Sequence, residues 1–240
     1  MRHLSHLFLI LFSILLVSCG SGRSPLNQLK KELNQYPEFS VILEDMKEEG
    51  NFFKDYYHKY KVVYGEPVSG QDSLVYQTYL TEWHKVSRKE YQNYWNYLGM
   101  VLLSKEADGK IVDTPFPPGY QYVGNPRYGR WREDNSGNRF WEFYGKFAFV
   151  NAMFNMLRGP VYYNDWDTWG RYRRSNRPYF GSKNQYGTNG SHTQKTYKSF
   201  FERRQQKEAL RKASFQNKVK NRVRRSQMSG LRSRSGGFGK

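Results

Sequence analysis

The surplus positive charge of this 240-residue chain is confined to its last 70 residues, and that confinement limits where a compact body can form. Residues 1–170 hold 19 Lys and Arg against 19 Asp and Glu. Residues 171–240 hold 20 Lys and Arg against Glu202 and Glu208 alone, which accounts for the whole net charge of +18. A segment with one sign of charge repels itself and gains little from compaction. The sequence therefore predicts a neutral folded body followed by a cationic tail.

The length suits one ordinary domain with extensions, because domains mostly run to about 100–200 residues. Hydrophobic residues make up 38% of the chain and aromatic ones 18%, so a core here leans on Tyr, Phe and Trp more than on Leu, Ile and Val. The expected fold class is α+β: a small, aromatic-rich antiparallel sheet with a few short helices. A basic tail, partly helical or disordered, follows it.

Local pattern supports this division. Leu26, Leu29 and Leu33 recur at helical spacing after Pro25. FSVILEDM from Phe39, FFKDYYHKYKVVYG from Phe52 and SLVYQTYLTEWHKVS from Ser73 are rich in β-branched and aromatic residues and read as antiparallel strands, the last running through Glu82 and His84. Tyr91, Tyr94, Trp95 and Leu98 favour a helix that Gly99 ends. A hairpin is expected around Asp108-Gly109 and another around 135–138, with an ordered, Pro-punctuated loop at 115–127 between them. Phe147 to Leu157 reads as a short buried helix. Residues 160–181 read as a boundary zone and 182–196, which lack an apolar period, as a linker. Helical character returns over 199–223, where Phe215, Val219 and Val223 share a face, and residues 229–240 read as disordered low complexity.

The amino terminus carries its own signal. Arg2 and two histidines precede an uninterrupted apolar run, Leu7 to Val17. At about 1.5 Å per residue this run crosses only about half a bilayer, as a signal peptide's apolar region does. The lone cysteine cannot form an internal disulfide, and it stands where such a signal would end. Leu16-Val17-Ser18-Cys19 resembles the lipobox of bacterial lipoproteins, in which the cysteine takes diacylglycerol. The resemblance covers the first 19 residues. It implies an exported chain held to a bacterial membrane by lipid on Cys19, and two or three acyl chains anchor stably where one is marginal. Gly20 instead of Asp points to the outer membrane, facing the periplasm, if the envelope is Gram-negative. The expected organisation is a signal peptide at 1–18, a lipid-anchored tether and short helix at 19–37, an aromatic body at 38–181 and a basic linker and tail at 182–240.

With export, the partners for a cationic tail are lipid headgroups, lipopolysaccharide or acidic wall polymer, or an acidic protein face, rather than nucleic acid. The candidate polyanion-binding residues are Arg203, Arg204, Arg211, Lys212, Lys218, Lys220, Arg222, Arg224, Arg225, Arg232 and Arg234. A plain solvating tail is the alternative, although Phe200, Phe201, Leu210, Phe215, Val219 and Val223 exceed what solvation needs. A different class of function is carbohydrate binding or hydrolysis. In it Trp166, Trp169 and Tyr172 would stack on sugar rings; otherwise these rings belong to the core and Asn164 caps a short helix. Catalytic side chains are sparse. After the signal only His58, His84 and His192 remain, in no metal-ligand or nucleophile-base spacing. Glu82 with His84, and Glu133, Asp134 and Glu142 around one hairpin, are the pairings open to acid-base work. The inventory leans against an enzyme and assigns no catalytic residue, metal or cofactor. The predicted role is structural or interactive, in the cell envelope.

Overall fold

The computed structural model describes residues 24–50, 52–68, 70, 74–147, 150 and 159–232, with side chains described up to 225. The chain divides after Thr196 into two units, a body and a carboxy-terminal helix.

The body is α+β. Its six-stranded antiparallel sheet runs β3-β2-β1-β5-β6, with β4 also on β2. The strands are β1 (Glu38–Glu49), β2 (Asp55–Pro67), β3 (Leu74–Leu80), β4 (His84–Val86), β5 (Val101–Lys105) and β6 (Ile111–Val112). β1 and β2 form one long hairpin, paired from Glu38 opposite Gly65 to Glu49 opposite Asp55, with an irregularity between Leu43 and Asp45. The single strand expected from Ser73 onward is divided instead. β3 covers one end of β2, from Lys61 to Pro67, and β4 the other, from Tyr56 to His58. The division falls at Thr81, whose hydroxyl accepts the Tyr60 N–H at 3.0 Å and donates to the Glu82 carbonyl at 2.8 Å. A side chain there takes over the bonding of a strand backbone, and Glu82 drops out of the ladder before His84 opens β4.

Register sorts the residues of β1 onto two faces. Phe39, Val41 and Leu43 alternate with Glu38, Ser40 and Ile42, and both sets are buried. The helix α1 (Pro25–Leu33) buries Leu26, Leu29 and Leu33 and packs against β1 and β4, while Tyr36 beyond it meets Tyr64 of β2. The helix α2 (Arg88–Tyr94) starts at Ser87, whose side chain accepts the Glu90 N–H, and Glu90 in turn accepts the Ser24 hydroxyl at the head of α1. Gly99 follows with φ +73°. The Glu38/Ser40/Ile42 face lies under an aromatic cluster drawn from distant segments: Phe116, Tyr120, Tyr122, Tyr128, Trp169, Tyr179 and Tyr186. Two-stranded β7 (Gly129–Glu133) and β8 (Arg139–Phe143) form the second predicted hairpin. Of the buried element expected over 147–157, Phe147 is buried in a short 3-10 turn and Val150 is buried; 148, 149 and 151–157 lie outside the described residues.

Two stretches differ from expectation. The boundary zone contains the helix α3 (Tyr163–Arg174), which buries Trp169 in the aromatic cluster. It begins from Tyr162, so Asn164 is no cap; its carbonyl instead accepts the Thr168 hydroxyl. The expected linker is also folded. The Thr188 N–H bonds the Asn96 carbonyl at 3.1 Å, Tyr186 enters the core, and the helix α4 (Ser191–Thr196) buries Thr193. Polar residues lacking an apolar period look like a linker, but here backbone bonds to a remote segment and the buried Tyr186 ring hold them.

The second unit is the helix α5 (Lys198–Arg232), 35 residues and about 52 Å long. It runs past the expected end at Val223 and takes in the first four residues of the stretch read as disordered; 233–240 lie outside the described residues.

Candidate functional site

The body holds two carboxylates, Glu38 buried and Asp165 half-buried, each between two tyrosines. Glu38 of β1, 3% exposed, accepts Tyr76 Oη at 2.8 Å and Tyr128 Oη at 2.5 Å. Asp165 of α3 accepts the hydroxyls of Tyr120 and Tyr179, one on each oxygen. Burial first, and the neighbouring carboxylate in addition, push the phenols of Tyr76, Tyr120, Tyr128 and Tyr179 well above their ordinary range, so all four stay protonated donors. A carboxylate with both oxygens engaged in this way is a structural acceptor. A cavity of about 350 Å³ lies beside Asp165, between Val161, Tyr162 and the 182–186 segment.

A second concavity, a groove of about 260 Å³, lies on the other side of α3, between that helix and the 121–125 loop. Gln121 reaches Ser40 of β1 through Nε2–Oγ at 2.6 Å. Glu106, just after β5, pairs with Arg173 of α3 at 2.6 Å. Burial raises the Glu106 carboxyl and the Arg173 charge opposes that rise. The Arg173 guanidinium also lies 5.4 Å from the Trp169 ring centre. Gly124, at φ +84°, lets the loop come down on Trp166: a Cβ there would sit 2.5 Å from the indole.

The residues proposed for sugar stacking divide accordingly. Trp169 is 5% exposed and packed between Phe116 and Tyr120, with no face free for a ligand. Tyr172 lies half-buried against Tyr179. Trp166 alone combines partial exposure with a place in the groove. Sequence reasoning missed Glu38, Glu106, Gln121 and Arg173, which are far apart in the chain. The signal available for Glu38 and Ser40 was that two polar residues fall in the otherwise apolar first half of β1, EFSVIL.

Glu142 and Asp134, two of the acids open to acid-base work, are held by partners of their own hairpin. Glu142 is bridged by Arg130 at 3.0 Å and Arg132 at 3.2 Å, and the hydrogen bond from Arg130 leads in holding its carboxyl below the usual range. Asp134 accepts the Asn138 and Ser136 N–H groups of its own turn, which lowers it likewise. His58 is fully buried, with Nδ1 3.1 Å from Tyr60 Oη and its ring stacked on Tyr91; burial lowers it to about 4. The His192 ring packs against Tyr186. Among the described residues no three His, Cys, Asp or Glu side chains converge as metal ligands.

Helix α5 presents the opposite character. It carries twelve Lys and Arg against Glu202 and Glu208. Arg204, Lys207, Arg211, Lys218, Arg222 and Arg225 follow one another at spacings of 3, 4, 7, 4 and 3 residues, which on a 3.6-residue helix keeps all six within one narrow stripe about 30 Å long. All six are exposed. Lys207 was not among the residues singled out from sequence, and Arg203, Lys212, Lys220 and Arg224 point away from the stripe. The side chain of Arg232 and the whole of Arg234 lie outside the described residues. Beside the stripe runs an apolar row in which Phe215 is 68%, Val219 43% and Val223 51% exposed. Among the described residues no helix is long and apolar enough to cross a membrane. Cys19 and the signal region lie outside the described residues.

Comparison of the chain with protein families, with curated proteins and with solved structures finds no match.

Proposed function

We propose that this chain is an exported envelope lipoprotein, lipid-anchored through Cys19, whose carboxy-terminal helix binds an anionic envelope surface. The role is non-enzymatic. The observation that carries it is the α5 stripe: six exposed cations in line, with an apolar row along one flank, a layout suited to a helix lying in a lipid interface. Near an anionic membrane each basic residue contributes roughly 1 kcal/mol, and the attraction decays over a Debye length of about 8 Å at physiological salt.

Vesicles of phosphatidylglycerol and phosphatidylcholine, or lipopolysaccharide micelles, test the reading by co-sedimentation across a salt series. With Cys19→Ala in every protein, so that no acyl chain holds it to the vesicle, the full-length chain is expected to bind at low salt and to release as salt rises. The triple variant Arg211→Glu, Lys218→Glu, Arg222→Glu is expected to lose at least about a hundredfold in affinity. Equal, salt-insensitive retention of both proteins would sink the proposal for the helix. Mass spectrometry of the mature amino terminus tests the anchor separately, and an unacylated Cys19 overturns it.

A further inference from the structure

We propose that the groove between the 121–125 loop and α3 is a binding site for a neutral saccharide. Three buried side-chain atoms on its lining residues lack a hydrogen-bond partner among the described residues: Gln121 Oε1, Glu106 Oε1 and Trp166 Nε1. Buried polar groups are nearly always paired, so three on the lining of one concavity mark places where a ligand's polar groups complete the bonding.

The chemistry of the three atoms selects the ligand. Gln121 Oε1 and Glu106 Oε1 accept, whereas the Trp166 indole N–H only donates. An ammonium group would satisfy the two acceptors and leave the indole unanswered. A carboxylate or phosphate would satisfy the indole and leave the acceptors, and it would also meet Glu38, Glu106 and Asp108 against the single charge of Arg173. Hydroxyl groups both donate and accept, so adjacent hydroxyls on one ring serve all three positions. Trp166 adds an aromatic wall, and the volume of about 260 Å³ admits roughly one sugar ring at a time.

The site is preorganised. Gln121 is oriented by its bond to Ser40, Glu106 by Arg173 and the Trp166 ring by contact with Gly124 and Trp131. Neither the site nor its ligand depends on the α5 proposal.

The test is isothermal titration of the full chain with cellotetraose, maltotetraose and the tetramer of N-acetylglucosamine, alongside tetragalacturonate as the anionic control. At least one neutral tetramer is expected to bind with a Kd at or below about 1 mM, and tetragalacturonate about tenfold more weakly or not at all. Trp166→Phe keeps the ring and removes the N–H, and Gln121→Leu removes the acceptor. Each is expected to cost the neutral sugar about tenfold in affinity with an unchanged near-ultraviolet circular dichroism spectrum. If one of these unfolds, Glu106→Gln replaces it, with the same expected loss. Lys218→Ala on α5 is expected to leave sugar affinity unchanged. Absence of binding by every neutral tetramer, equal binding of tetragalacturonate, or affinities unmoved by the groove variants would overturn the proposal.

Discussion

The body and the carboxy-terminal helix deal with charge in opposite ways. In the body, charges are answered from within: Glu38 by Tyr76 and Tyr128, Glu106 by Arg173, Glu142 by two arginines, and Lys85 by Asp55 at 2.7 Å. On α5, twelve cations stand against two acids, so the helix carries a strong net positive charge. The apolar residues follow the same division. Trp169 and Tyr128 are at most 5% exposed, whereas Phe215 is 68% exposed. Side chains of the same chemistry stabilise a fold in one region and leave a surface ready for contact in the other.

Stability measurements can break this comparison, and the largest expected effect is at the aromatic core. Trp169→Ala should lower unfolding free energy in urea by about 4 kcal/mol, because it removes a ring packed against Phe116 and Tyr120. A loss below about 1 kcal/mol would mean that the ring is not core. Glu38→Ala should cost about 3 kcal/mol, since two buried phenols lose their shared acceptor; Tyr76→Phe, which removes one donor, should cost less.

Acid should weaken the body by a comparable amount. The folded state holds His58 at about 4 against an ordinary 6.5, so between these pH values the unfolded chain takes up a proton that the folded one refuses. Stability is complete above about pH 6.5 and is lost as pH falls toward 4, by about 3 kcal/mol in all. His58→Phe should flatten that part of the pH profile, and an unchanged profile would exclude His58 as its source. The smallest effects belong to α5. Lys218→Ala and Phe215→Ala should each shift body stability by less than about 0.5 kcal/mol, even though charge reversal along the stripe is expected to weaken vesicle binding at least about a hundredfold. A large loss from either would place α5 in the cooperative core and erase the contrast.

Much of the fold was legible in the primary structure. Strands β1 and β2, both later hairpins, the helix ended before Gly99 and the leucine row of α1 all come from short-range periodicity and turn residues, which act over a few positions. The candidate groove was almost illegible. Trp166 stood out as an aromatic among polar neighbours, but its partners Glu38, Glu106, Gln121 and Gly124 lie on a strand, after another strand and in a loop, and no local pattern joins them. The misread linker has the same origin: Thr188 and Tyr186 are held by Asn96 and the aromatic cluster, which sequence proximity does not reveal.

By itself the chain's order of residues determined where charge accumulates, which segments extend or coil, and that aromatic rings would fill the interior, because each of these depends on composition and near neighbours. Only the tertiary structure decided that the Glu38 face of the sheet is buried and that Trp169 is core while Trp166 lines a groove. Those outcomes depend on register and on packing among segments up to about 140 residues apart, where the energy of a contact exists only once the fold has brought its two sides together.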